Sequence, residues 1–124
     1  MNRTVLIVED TELCRETLEM ALRRLPHLTV RSVATAEEAL AYLDRQEVSA
    51  LITDLHLPRM DGFELIEAVR AQPRRSALPI LVISGDSDPF TRSRLAELGA
   101  NAYFPKPFSP AAVRLKLEQL IDGR

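Results

Sequence analysis

Five polar positions in this 124-residue chain share one local setting, the end of a short apolar run. Glu9 and Asp10 follow the run 5–8, Asp54 follows 50–53, Ser84 follows 80–83, and Lys106, with Pro107 behind it, follows 102–104. Brought together, three carboxylates repel one another and are costly unless a cation shares the cluster. Lys106 supplies one positive charge. The remaining deficit and the all-oxygen donor set favour Mg²⁺, which accepts a few carboxylates and keeps several waters. The chemistry open to such a group is phosphoryl transfer. A carboxylate attacks phosphorus to give an aspartyl phosphate, while Mg²⁺ and Lys106 neutralise the phosphoryl oxygens. The Ser84 hydroxyl can then donate to the phosphoryl group. Asp54 is the expected nucleophile, because it ends what reads as a rigid central strand. Glu9 and Asp10, adjacent in sequence, suit a metal held directly or through water.

The elements between these residues must place them on one rim. The run 5–8, Val-Leu-Ile-Val, is continuous and β-branched, as a strand buried on both faces should be. Asp10-Thr11 is a helix cap, followed by Cys14, Leu18, Ala21, Leu22 and Leu25 at helical spacing, and Pro26 ends that helix. The mixed stretch 28–33 reads as an edge strand. Thr35 with Glu38 is a capping-box pattern ahead of the stripe Ala36, Ala39, Leu40 and Leu43. A third strand covers 50–53 and a third helix 62–71. The run 80–83 is the most apolar strand, and Asp88-Pro89 reads as an N-cap with Pro at the first helical position. The helix after it is weak, with only Leu95, Ala96 and Leu98 to bury and Gly99 at its end. A short fifth strand at 102–104 and a helix opened by Ser109-Pro110 complete five βα units. Alternation of this kind implies an α/β fold, a doubly wound five-stranded parallel sheet with helices on both faces. Ligands then bind at the carboxyl ends of the strands, where all five polar positions stand.

Glu9-Asp10, Asp54, Ser84 and Lys106-Pro107, in this order and at these spacings, resemble the response-regulator receiver domains of two-component signal transduction. The loop from Leu57-Pro58 through Met60-Asp61-Gly62 is similar to the family's loop after the acceptor strand. The resemblance covers nearly the whole chain, so residues 1–124 are expected to form a single receiver domain with the flavodoxin-like strand order 2-1-3-4-5. It implies that Asp54 is the phospho-acceptor, that Glu9, Asp10 and Asp54 hold Mg²⁺ together with the main-chain carbonyl of His56, and that Ser84 and Lys106 bind the phosphoryl group. It makes Tyr103 the rotamer-switching aromatic and the Lys106–Pro107 peptide cis. Gly85 stands where the family more often has Ala. The implied partners are a sensor histidine kinase or histidine phosphotransfer protein upstream, and a downstream partner or an output domain. A phosphorylation-dependent dimer also belongs among the implied behaviours.

Composition bounds the alternatives. Sixteen basic and eighteen acidic residues give a formal charge of −2, with no basic footprint for direct nucleic-acid binding. No apolar run reaches the roughly 20 residues of a membrane span. A single cysteine fits a reducing compartment, so the expected address is cytoplasmic. A phosphatase of the haloacid-dehalogenase type also uses an aspartyl nucleophile with Mg²⁺, Ser or Thr and Lys. It wants a second Asp two residues on, where this chain has His56, and its nucleophile follows the first strand. Flavin binding wants a Ser/Thr/Gly-rich loop after the first strand, and Glu9-Asp10 would repel a phosphate there. The expected activity is thus self-phosphorylation and dephosphorylation, not turnover of an external substrate. His56, two residues past Asp54, is placed to influence water access to an acyl phosphate.

Overall fold

The computed structural model describes residues 3–86 and 88–123. The chain runs β1 (Arg3–Val8), α1 (Glu12–Leu22), β2 (Leu28–Val33), α2 (Ala36–Arg45), β3 (Ala50–Thr53), α3 (Gly62–Arg70), β4 (Ile80–Ser84), α4 (Thr91–Leu98), β5 (Ala102–Pro105) and α5 (Pro110–Asp122). A 3₁₀ turn, Pro73–Arg75, lies between α3 and β4. All strand pairs are parallel and the order is β2-β1-β3-β4-β5. This is the doubly wound, flavodoxin-like α/β fold expected from the sequence.

Strand alternation divides the interior into two cores. Leu6, Val8, Leu51, Ile80 and Val82 face α2, α3 and α4, whereas Val5, Ile7, Ile52, Leu81 and Ile83 face α1 and α5. Both faces are dry, which is why β1, β3 and β4 read as unbroken apolar runs. β2 is half-buried along most of its length, the look of an edge.

Caps fix where the helices start, and thereby where the loops at the rim end. Thr35 accepts from the Glu38 amide at 3.1 Å, and Ser109 accepts from the Ala112 amide with Pro110 next in line. Asp61 and Glu64 form a reciprocal capping box at the start of α3, which the sequence reading passed over. Of the expected Asp10-Thr11 cap, Thr11 takes the cap position of α1, although its side chain makes no capping bond. One expected cap is corrected. Asp88-Pro89 does not open α4. Asp88 Oδ1 instead accepts the Phe90 amide at 2.9 Å, and its carbonyl accepts the Thr91 amide at 3.1 Å. That turn delays the helix to Thr91.

α4 is fastened more weakly than expected. Thr91 and Leu95 are buried and Leu98 packs against the core, but Ala96 is exposed. Two guanidinium groups add to this grip: Arg94 lies 3.8 Å above the centre of the Phe63 ring, and Arg92 lies 4.8 Å from that of Tyr103. Gly99 ends the helix at φ 92°, a conformation open to glycine without strain.

Candidate functional site

The strand ends bring the predicted residues to one rim. Asp54 is the first residue past β3, and its N–H donates to the Val8 carbonyl of β1 at 3.0 Å. Its carboxylate is held on both oxygens. Oδ1 accepts the Leu55 and His56 amides at 2.6 and 3.2 Å, and Oδ2 receives the Lys106 ammonium at 2.7 Å. Thr53 Oγ1 donates to the Asp54 carbonyl at 2.7 Å. The same Lys106 Nζ donates to Glu9 Oε1 at 2.9 Å, tying the first, third and fifth strand ends together. The Lys106–Pro107 peptide is cis.

Ligand atoms of Glu9, Asp10 and Asp54 lie within 4.8 Å of one another. Glu9 is only 2% exposed and Asp54 7%, whereas Asp10 faces solvent. Glu9 Oε2 is buried and has no hydrogen-bond partner among the described residues. Burial and the nearby Asp54 carboxylate push the Glu9 carboxyl up to about 7, against the pull of Lys106. Burial works against ionisation of Asp54 too, yet Lys106, the neighbouring Glu9 and the His56 amide together hold it below the usual carboxylate range. Lys106 sits well above its ordinary value, because the two carboxylates outweigh its own desolvation. An oxygen-only cluster with one orphaned buried oxygen and one exposed carboxylate fits a hard divalent cation with open coordination positions, as Mg²⁺ prefers.

Ser84, fully buried, stands at the end of β4, and its carbonyl accepts the Lys106 amide at 2.9 Å. Its hydroxyl accepts the Asp86 amide at 3.2 Å. Tyr103 is outside the cluster. Its hydroxyl donates to the Asp86 carbonyl at 2.9 Å, and burial beside Asp86 raises its pKa. The His56 ring is exposed, with Nε2 3.6 Å from the Asp86 carboxylate across the rim.

Two participants escaped the sequence reading. Gly62 packs so closely under the loop after Asp54 that an added Cβ would collide with the Asp54 carbonyl oxygen and come 2.7 Å from Leu55 Cα. Its place in the Met60-Asp61-Gly62 stretch was the available signal. Arg15, one turn into α1, donates to the Glu9 carbonyl at 2.9 Å, and nothing in its spacing announced that. Cys14, expected in the core, packs half-buried against the α1/α5 core, and burial next to Glu9 pushes its thiol up to about 12.

Among known proteins, the model of the response regulator receiver domain family matches residues 5–118. The transcriptional regulatory protein GltR of Pseudomonas aeruginosa is 36% identical over 119 residues, covering 96% of this chain and 49% of GltR. A chemotaxis protein CheY homologue of Campylobacter jejuni is 32% identical over 118 residues, 94% of this chain and 91% of that protein. The chain thus spans about half of one relative and nearly all of the other. Among solved structures, chemotaxis response regulator CheY4 of Vibrio cholerae is 28% identical with a TM-score of 0.87, over 97% of this chain and 99% of that one. The receiver domain of sensor histidine kinase PA1611 from Pseudomonas aeruginosa is 29% identical with a TM-score of 0.87, over 98% and 99%, and was solved with a magnesium ion coordinated in its active-site cleft.

Proposed function

The chain belongs to the response regulator receiver domain family of two-component signalling, and from that premise we propose that Asp54 accepts a phosphoryl group from a phosphohistidine of a kinase or phosphotransfer partner. Receiver domains are signalling domains and not enzymes that turn over an external substrate. The observation that carries the proposal is the double engagement of Lys106, whose ammonium meets Asp54 at 2.7 Å and Glu9 at 2.9 Å. A cation is thereby fixed where negative phosphoryl oxygens would arrive.

In the proposed reaction an Asp54 oxygen attacks phosphorus, the O–P bond forms, the N–P bond to the donor imidazole breaks, and the imidazole leaves. The Leu55 and His56 amides hold the carboxylate in place, so little reorganisation is needed at attack. Glu9, Asp10, Asp54 and the His56 main-chain carbonyl would hold Mg²⁺. When bound, the ion supplies charge neutralisation for the transferring group. Lys106 then follows the phosphoryl oxygens, and Ser84 leaves the Asp86 amide to donate to them. Loss of the Ser84–Asp86 bond loosens the segment that also accepts from Tyr103, and the tyrosine moves inward. The α4–β5 surface presented to a downstream partner or output domain changes as a result, with a phosphorylation-dependent dimer as one outlet. We read residues 1–124 as one receiver domain, acting in the cytoplasm and without contacting nucleic acid itself. Among the described residues no helix is long and apolar enough to cross a membrane.

Intact mass after incubation with acetyl phosphate tests this. A single phosphoryl adduct is expected with Mg²⁺, none in EDTA, and none on Asp54→Asn. An adduct that persists on Asp54→Asn would move the acceptor elsewhere. No adduct on wild type, from acetyl phosphate or from a phosphorylated kinase domain, would leave a receiver fold that works without phosphorylation.

A further inference from the structure

Arg15 is a half-buried cation beside an acidic cluster, yet its one side-chain bond among the described residues goes to a backbone carbonyl. No carboxylate among the described residues lies within ion-pair distance of it. The residue whose carbonyl it takes is Glu9, the most buried of the three carboxylate-bearing residues. The Glu9 amide is already fixed, donating to the Val33 carbonyl of β2 at 3.1 Å. Both backbone polar groups of Glu9 are therefore tied, one to the neighbouring strand and one to the first helix. Among the described residues no other side chain bonds to the backbone of the turn between β1 and α1, and the Thr11 side chain makes no capping bond. That turn carries Glu9 and Asp10 side by side.

We propose that Arg15 is a positioning residue for the acidic pocket: by holding the Glu9 carbonyl it fixes the turn that presents Glu9 and Asp10 to a divalent cation. This rests on the metal reading of the pocket and extends it. The geometry also explains why an arginine there does not defeat cation binding. Its guanidinium engages the Glu9 carbonyl, bonds to no carboxylate oxygen among the described residues, and offsets part of the carboxylates' mutual repulsion. Outer groups that orient metal ligands commonly matter by roughly 10–100-fold in affinity when removed. A freely placed positive charge acts in the opposite direction, because deleting it should tighten Mg²⁺ binding. The two effects have opposite signs, so the measurement separates them.

The test is a titration of ¹⁵N-labelled protein with Mg²⁺ alone, followed by amide shifts, for wild type, Arg15→Met, Arg15→Gln and Arg23→Met. Arg23 lies just beyond the end of α1, is exposed and pairs with Glu19, so its loss changes net charge equally without touching the turn. Expected is an affinity about tenfold weaker in both Arg15 variants, unchanged or slightly tighter in Arg23→Met, with the Glu9 and Asp10 amides already shifted in EDTA. Unchanged or tighter binding in the Arg15 variants overturns the proposal, and so does weakening of equal size in Arg23→Met. Should Arg15→Met fail to fold, Arg15→Gln decides alone. A wild type that binds no Mg²⁺ removes the metal reading itself, and this role with it, a result distinct from wild-type binding that Arg15 does not affect.

Discussion

At the residue scale, the pocket holds two buried carboxyls whose environments push them apart. Glu9, raised to about 7, keeps its proton in the folded state at pH values where an unfolded Glu, near 4.5, has lost it. The folded state thus binds the extra proton between those values, and by linkage stability falls as pH rises through that window. Asp54 has the opposite sign: held below its ordinary value, it favours the fold at neutral pH and gives that up on acidification. In EDTA, then, the free energy of unfolding should decline between pH 5 and 8 by on the order of 1–3 kcal/mol, with a matching fall in melting temperature, and Glu9→Gln should remove that decline. Mg²⁺ should restore stability to wild type at pH 8 and do little for Glu9→Gln. Parallel pH profiles for the two proteins in EDTA would mean that Glu9 ionises normally.

At the scale of elements, α4 stands apart from its neighbours. α3 buries Phe63, Leu65, Ile66 and Val69, whereas α4 buries Thr91 and Leu95 alone. The stacks of Arg94 on Phe63 and Arg92 on Tyr103 supply much of its remaining hold, each on the order of 0.5–2 kcal/mol. Elements that move in switching come from the least stable part of a structure. Amide hydrogen exchange should accordingly be at least tenfold faster in α4 than in β3 and β4, and Arg94→Met should speed it further in α4 without altering the central strands. Exchange in α4 as slow as in β4 would contradict this. The weakness of α4 was readable from its few apolar positions. The stacks were not, because an arginine's sequence position does not say which ring its planar group covers.

Across the whole molecule, the parallel α/β order and the rim were legible because each depends on short-range signals repeated five times: apolar runs, caps, and a polar residue after each of four strands. Long-range polar ties carry no such period. Arg70, near the end of α3, donates to the Gly99 carbonyl at 2.7 Å and the Arg75 carbonyl at 2.8 Å, and reaches Asn101 Oδ1 at 3.2 Å. Asn101 Oδ1 in turn accepts the Ile80 amide at 2.7 Å. One guanidinium thus joins α3, the 3₁₀ turn, the start of β4 and the loop into β5, at the sheet end opposite the pocket. Burial lowers the Arg70 pKa, a sign that its charge is partly withdrawn from water and depends on these acceptors. Arg70→Met keeps the aliphatic stem and strands two carbonyls, so the fold should lose about 2–3 kcal/mol. In urea that appears as a lower midpoint with an unchanged slope. Because the site lies at the other end of the strands, Mg²⁺ affinity measured in the folded variant should match wild type. A shallower slope would instead mean that the β4–α4–β5 half unfolds by itself, making Arg70 the tie that keeps the two halves of the sheet cooperative.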